Sequence, residues 1–362
     1  MIYKLRPSVA VVKINEVVEF FLSNIRKSIT LKVYGDIEKL LFKFDGKKTF
    51  DEICREEKIA GEEKEDLKKL IGFLNEQGII LCIDEEYIEE YVRYPRVFNL
   101  LEDYYSSKKI INKIFKEFQM KKIMIIGLGA VGTWVAHNLI MSGIKNLLIV
   151  DYDKIEESNL HRQLGFFYKD IGRLKTEVLK NRLLEINKNV NIEVINDKLD
   201  FNFFERNKFK NIDLIINCAD FPNVDTTSEI VGEYCMKNNI PHLIGGGYNL
   251  HMTLIGQAVI PGKTACVNCF RKNLEEINKI DTQNIKKLSK RERKIGSFTP
   301  LVTLTASITS NEALKILLGI DRVVMQNNRC EFKLKTMNFE SLILERRKDC
   351  EWCGEEGKYY KL

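Results

Sequence analysis

From Lys121 onward the sequence alternates short buried-type strands with helical segments, and few architectures accept that alternation. The runs "KKIMIIG", "NLLIVD", "VNIEVIN" and "IDLIINCAD" are rich in Ile, Leu and Val and are too short for helices. Between them, "GTWVAHNLIMSG" and "LKTEVLKNRLLEIN" carry apolar residues at helical spacing. Strands buried on both faces and joined by helices predict an α/β fold, a Rossmann-like and mostly parallel sheet wrapped by helices. "PHLIGGGYNL" and "MTLIGQAVIPG" extend the apolar pattern, and "TLTASITSNEALKILLG" reads as a long amphipathic helix stopped by Gly319. The stretch "NIKKLSKRERK" has no apolar face and reads as a mobile basic crossover loop.

Residues 1–85 follow another pattern. "SVAVVKINEVVEFFLS" and "SITLKVYG" are strand-like, whereas "DIEKLLFKFDG", "TFDEICREEK" and "EEKEDLKKLIGFLNEQGII" show helical spacing. Strands followed by helices predict a small α+β, winged-helix-like domain, with Asp36 and Thr49 as helix N-caps and Gly78 as a stop. A tyrosine- and charge-rich linker over 86–120 contains "RYPR" and leads into the domain at 121–362. A chain of 362 residues suits this division into two folded domains.

The formal charge of +6 is spread along the chain, and "DLKKLIGFLNEQG" lacks the dense basic face of a DNA-recognition helix, so no nucleic-acid partner is expected. No apolar run approaches the roughly 18 residues of a membrane span. With no signal peptide either, a cytoplasmic location is expected. Nine cysteines in such a chain point to reduced thiols or metal ligands.

"GLGAVG" sets Gly127, Gly129 and Gly132 between a predicted strand and a predicted helix, where backbone N–H groups and the helix N-terminus face a phosphate. A plain tight turn has the same composition. Asp151, ending the next strand, stands where an acid receives ribose hydroxyls, and its alternative is an ordinary turn acid. The chain then supplies Asn159, Arg162, Gln163 and Lys175, and places Asp220 at the end of a later strand in "NCADFPN". Two cations suit the charge of a triphosphate, and one carboxylate suits its Mg²⁺, which keeps few protein ligands. A nicotinamide dehydrogenase is disfavoured because no group for hydride or proton transfer accompanies the loop.

The series GLGAVG, VDYD, NLHRQ, the Lys of GRLK and CAD resembles the adenylating domain of the ThiF/MoeB and ubiquitin-activating superfamily over roughly residues 95–362. The resemblance implies that ATP activates a carboxylate as an acyl-adenylate with release of pyrophosphate. It assigns ribose binding to Asp151, phosphate contacts to Asn159, Arg162 and Lys175, and Mg²⁺ to Asp220. It further implies a homodimer in which Arg96 of "RYPR" reaches the other subunit's site; a linker anchored by Tyr94 and Pro95 is the alternative reading.

"CVNCF" (Cys266, Cys269) and "CEWCG" (Cys350, Cys353) are two C-x-x-C knuckles, and four thiolates suit a structural tetrahedral Zn²⁺ site. A redox disulfide in either pair is the alternative. ThiF/MoeB-type proteins carry the same knuckles in the same order. Cys54, Cys82, Cys218, Cys235 and Cys330 lie in apolar segments and read as core residues. From Phe270 to Arg329 there is no cysteine, which argues against thioester or persulfide chemistry in the crossover region. The four histidines offer no matched base and nucleophile.

In order and length, residues 1–85 are similar to the PqqD-like domain, to which a leader peptide adds as a strand. That domain ahead of a ThiF-like one resembles the peptide-adenylating enzymes of the microcin C and pantocin A types. The resemblance implies a ribosomal precursor peptide as partner, activated at a carboxylate or amide. The glutamate-directed reaction is favoured, since no Asn-specific pocket is legible. The alternatives are a sulfur-carrier-protein adenylyltransferase and a non-catalytic leader-docking protein, the latter disfavoured by the retained Arg162, Lys175 and Asp220.

Overall fold

Two units, Met1–Glu117 and Phe118–Leu362, divide the chain. The structure, a computed structural model, describes residues 1–32, 37–249, 252–278 and 296–359. The expected cap at Asp36 and the basic stretch 286–294 lie outside the described residues.

The buried runs after Lys121 form one six-stranded sheet. Its order is Ala258–Val259, His242–Ile244, Leu214–Asn217, Lys122–Ile126, Asn146–Val150 and Asn191–Ile195. Five strands run parallel, and Ala258–Val259 pairs antiparallel with His242–Ile244. Every residue of Leu214–Asn217 is buried, whereas the edge strand Asn191–Ile195 is half open to solvent. The chain winds outward from Lys122–Ile126 to that edge, then returns to the other side of its starting strand. The connections onward from Lys122–Ile126 and Leu214–Asn217 therefore lead to opposite sides of the sheet, and the crevice lies at the strands' carboxyl ends, the point where open α/β sheets bind ligands.

One apolar run serves two sheets, which its composition does not show. Met252–Ile255 joins Gly247–Asn249, Asn328–Lys333 and Asn338–Ile343 in an antiparallel sheet, while Ala258–Val259 crosses to the parallel one. Gly256 makes the break possible: a Cβ there would lie 1.5 Å from the Ile244 carbonyl oxygen. Helix Thr299–Leu318 packs on helix Ala130–Met141, with Asn138 Nδ2 donating to Ser310 Oγ at 3.2 Å, and ends at Gly319 with φ 66°. No helix among the described residues is long and apolar enough to cross a membrane.

In the first unit, Val9–Ile14, Val17–Leu22 and Lys27–Lys32 form an antiparallel meander. A second small sheet holds Ile2–Leu5 between Asp45–Thr49 and Ile80–Ile83. Strands are thus interleaved with the helices rather than all preceding them. The polar "DGKKT" of Asp45–Thr49 has no apolar alternation and belongs to the sheet through its backbone ladder. Val18, Phe20, Phe44, Ile53, Ile71 and Leu74 build the core with helices Phe50–Glu56 and Gly61–Glu76. Thr49 caps the first of these in a capping box, accepting from Glu52 N at 3.2 Å while Glu52 Oε2 accepts from Thr49 N at 2.8 Å. After Ile83, Tyr87 stacks on Tyr91 at 4.6 Å and meets Phe98 edge-on, so the aromatic stretch packs upon itself.

Candidate active site

The glycine turn leaves strand Lys122–Ile126 and enters helix Ala130–Met141, with Gly129 as N-cap. Two of its glycines are required by space. Gly127 has φ +90° and a Cβ there would meet Ala219 N at 2.6 Å; at Gly132 it would meet the Gly127 carbonyl oxygen at 2.0 Å. The turn is thereby pressed against the loop after Leu214–Asn217, and the first N–H groups of the helix stay open toward the crevice. Gly127→Ala is expected to cost about 1–3 kcal/mol from backbone strain. The displaced turn should also weaken nucleotide binding, which calorimetric ATP titration measures.

Asp151 closes the turn from the neighbouring strand. Its Oδ2 accepts from Leu128 N at 2.6 Å and its Oδ1 from Asp153 N at 2.8 Å. Burial pushes the Asp151 carboxyl above its ordinary range, and Lys175 and the two N–H groups pull it back. Lys175 starts helix Lys175–Ile186, is 5% exposed, and donates to Asp153 Oδ2 at 2.8 Å. Arg162 is half-buried; its Nη1 donates to the Ser158 carbonyl at 2.6 Å and meets His161 Nε2 at 2.7 Å. Asn159 is buried, with Oδ1 accepting from Glu156 N at 3.1 Å. Gln163 is buried too, and its Oε1 has no hydrogen-bond partner, an orphaned acceptor at the wall of an open cleft.

These residues line one cleft of about 820 Å³, together with Gly127, Gly129 and the exposed Asp220. The volume is in the range of small-molecule sites, roughly 300–1,000 Å³. Arg162, Lys175 and Asp220, far apart in sequence, thus face the space in front of the glycine turn. Arg93 and Arg96 belong to the first unit, Arg96 being exposed in the first turn of helix Pro95–Leu101.

Several residues at the cleft escaped sequence reasoning. Asp153, the second acid of VDYD, holds Lys175. Tyr248 is pushed up by burial and pulled back by Arg162. Lys198 Nζ lies 4.2 Å from the Phe221 ring centre and 5.9 Å from that of Tyr152. Cys218 corrects the expectation of a core thiol: it lines the cleft, half-buried, and burial pushes its thiol up to about 12. It therefore offers no thiolate at neutral pH.

The four knuckle cysteines converge, although Cys269 and Cys350 are far apart in sequence. All are buried, none is in a disulfide, and their sulfurs lie within 4.8 Å of one another. Cys266–Cys269, Cys266–Cys350 and Cys269–Cys353 are separated by 3.9, 3.5 and 3.3 Å. A tetrahedral zinc with Zn–S bonds of about 2.3 Å sets its sulfurs about 3.8 Å apart. The group fits that ion. Arg347 N donates to Cys269 Sγ at 3.4 Å, and Asn268 Nδ2 lies 3.8 Å from Cys350 Sγ, so neighbours orient the ligands.

A Rossmann-type sheet with this glycine turn, paired cations and a four-cysteine clip defines a nucleotide-binding protein of the adenylating class. Residues 106–353 match the ThiF family, and the chain belongs to it. The sulfur carrier protein ThiS adenylyltransferase of Escherichia coli is 27% identical over 257 residues, 69% of this chain and 94% of that protein. The SUMO-activating enzyme subunit 2 of Dictyostelium discoideum is 32% identical over 157 residues, 43% of this chain, and the match spans 23% of that protein's length. The crystal structure of E. coli MccB with ATP superposes with a TM-score of 0.73 at 22% identity, covering 98% of this chain and 100% of that one. PaaA gives 0.71 at 19%, covering 94% and 100%. At those identities the likeness to MccB and PaaA is one of fold.

Proposed function

We propose that this ATP-dependent adenylating enzyme activates a carboxylate or amide on a ribosomally made precursor peptide, a step in the biosynthesis of a modified peptide antibiotic. The observation that carries the chemistry is the convergence of Arg162, Lys175 and Asp220 before the glycine turn. The carboxylate oxygen bonds to the α-phosphorus of ATP, the bond to the β-phosphate oxygen breaks, and pyrophosphate leaves with the electron pair. Joining two anions requires cations placed in advance. Arg162 and Lys175 supply them, Asn159 and Gln163 offer polar contacts, Asp151 would receive the ribose, and Asp220 would hold Mg²⁺, which would add positive charge at the site. Tyr152 and Phe221 line the same cleft and are the aromatic groups available to the base there. Zinc, when bound, has a structural role, clipping the C-terminal segment to the helix at Val267–Asn278.

The peptide partner is supported by the full-length fold likeness to the microcin C7 biosynthetic enzyme MccB, solved with N-formylated MccA, which covers 98% of this chain. The likeness to PaaA supports the same class. In this reading the first unit receives the leader of the precursor, and Arg96 reaches the second site of a homodimer. A sulfur-carrier adenylyltransferase is the second reading, supported by the match along 94% of the ThiS adenylyltransferase, which leaves the rest of this chain unmatched.

The test is pyrophosphate release from ATP with and without a precursor peptide encoded beside this chain's gene. Release should depend on the peptide and should fall sharply in Asp220→Ala. Release driven instead by a Gly-Gly-tailed carrier protein would favour the second reading, and full activity of Asp220→Ala would remove its assigned role.

A further inference from the structure

A second cavity of about 370 Å³ opens beside the nucleotide cleft, and the two share Val224 and Gly245 as lining. Its walls are mainly apolar: Leu254 comes from the antiparallel sheet, Phe270 and Leu274 from helix Val267–Asn278. Val267 and Trp352 complete them, one lying between Cys266 and Cys269 and the other between Cys350 and Cys353. The metal clip thus shapes the cavity, which gives the knuckles a place near the chemistry as well as in the fold.

Its lining carries Asp225, Glu229 and Glu275 against Arg271 and Arg329, an excess of negative charge. Asp225 and Glu275 are exposed, as is Arg271, which donates to Asn268 Oδ1 at 2.7 Å; Arg329 is engaged by Glu331 at 3.0 Å. The acidic excess disfavours an anionic guest, and the apolar walls favour an uncharged side chain over a charged one. Two polar side chains on the lining are left unfinished. Gln257 Nε2 and Asn328 Oδ1 are buried without hydrogen-bond partners, one a donor and the other an acceptor. Unpartnered buried polar atoms are costly and uncommon. Both atoms are closed off at rest, and a peptide unit in the cavity, with one C=O and one N–H, would offer each a partner once its side chain turned inward.

We propose that this cavity holds an apolar side chain of the precursor peptide, with an adjoining peptide amide paired to Gln257 and Asn328. The residue bearing the activated carboxylate then lies across the Val224 and Gly245 boundary, in the nucleotide cleft. The precursor's part in this rests on the function proposed above; the apolar amide site rests on the cavity. The volume takes one large aliphatic or aromatic side chain with its amide, and at the boundary Gly245 adds no side chain opposite the exposed Val224.

The experiment uses the full chain loaded with zinc and two probes without a carboxylate, N-acetyl-phenylalaninamide and N-acetyl-lysinamide, followed by ligand-observed NMR titration. The phenylalanine probe should bind, and the lysine probe should bind at least about tenfold more weakly, the loss that goes with an unburied large apolar side chain. Leu274→Trp, which fills the cavity from a half-buried position, should weaken the phenylalanine probe about tenfold, and Gln257→Leu should weaken it less. Both variants should keep wild-type zinc content and ATP affinity. Equal binding of the two probes, no binding of either, or unchanged binding in Leu274→Trp would overturn the site. Because the titration reads binding in the absence of ATP, a failed pyrophosphate assay would remove the enzymatic reading and leave this result standing.

Discussion

Lys175→Met is expected to lower peptide-dependent pyrophosphate release by about 10²–10³-fold at saturating ATP, the range seen when one preorganised charge-stabilising donor is removed. Lys175 is 5% exposed in the wall of the nucleotide cleft, and its ammonium is held by Asp153 at 2.8 Å. Methionine preserves the stem and removes the charge. A second readout separates catalysis from structure. Burial already holds the Asp151 carboxyl above its ordinary range, and Lys175 is the leading influence against that rise. Without it the folded-state value climbs further from the unfolded one. A carboxyl raised on folding binds more protons in the native than in the unfolded state. Its destabilisation is absent below the unfolded value, grows as pH rises through the gap, and is complete above the folded value. The melting temperature of Lys175→Met should therefore fall furthest behind wild type near neutrality and recover toward acid. A lysine with a structural role alone would show that melting profile with an unchanged turnover number.

Cys350→Ser is expected to abolish zinc binding and to lower the melting temperature by roughly 10–20 °C. Structural zinc sites contribute folding free energy outright, and a loss of roughly 5 kcal/mol would be a fraction of what such sites supply. Each kcal/mol shifts melting by about 2–4 °C in a unit of this size. The change also leaves a hydroxyl among buried apolar neighbours, including Phe270, Leu344 and Tyr359. Metal content by atomic emission and a thermal melt are the measurements. Wild-type stability in a zinc-free variant would remove the structural role of the clip.

The two halves of the chain were unequally legible. The parallel strands were readable because burial on both faces demands continuous runs such as Leu214–Asn217, and the helix Thr299–Leu318 announced its end through Gly319. Asp45–Thr49 was not readable, since backbone pairing places "DGKKT" in a sheet and leaves no trace in side-chain pattern. Direction was hidden as well: two residues, Ala258 and Val259, cannot show that their strand runs against the others. At the site, residue types and order indicated which side chains belong together. The Lys175–Asp153 pair and the buried Gln163 could not be read, because ion pairing and burial arise only when separate loops meet over the same crevice.

The two knuckles join segments that are far apart in the chain. Cys266 and Cys269 flank the start of a local helix, whereas Cys350 and Cys353 follow Asn338–Ile343, the last strand of the antiparallel sheet. Closing so long a loop is entropically unfavourable without other contacts. In the folded chain that sheet holds Cys350 and Cys353 beside Cys266 and Cys269, so an ion bound there would tie the segment after the sheet to the helix. A zinc-starved chain would be complete everywhere except at the segment that walls the second cavity.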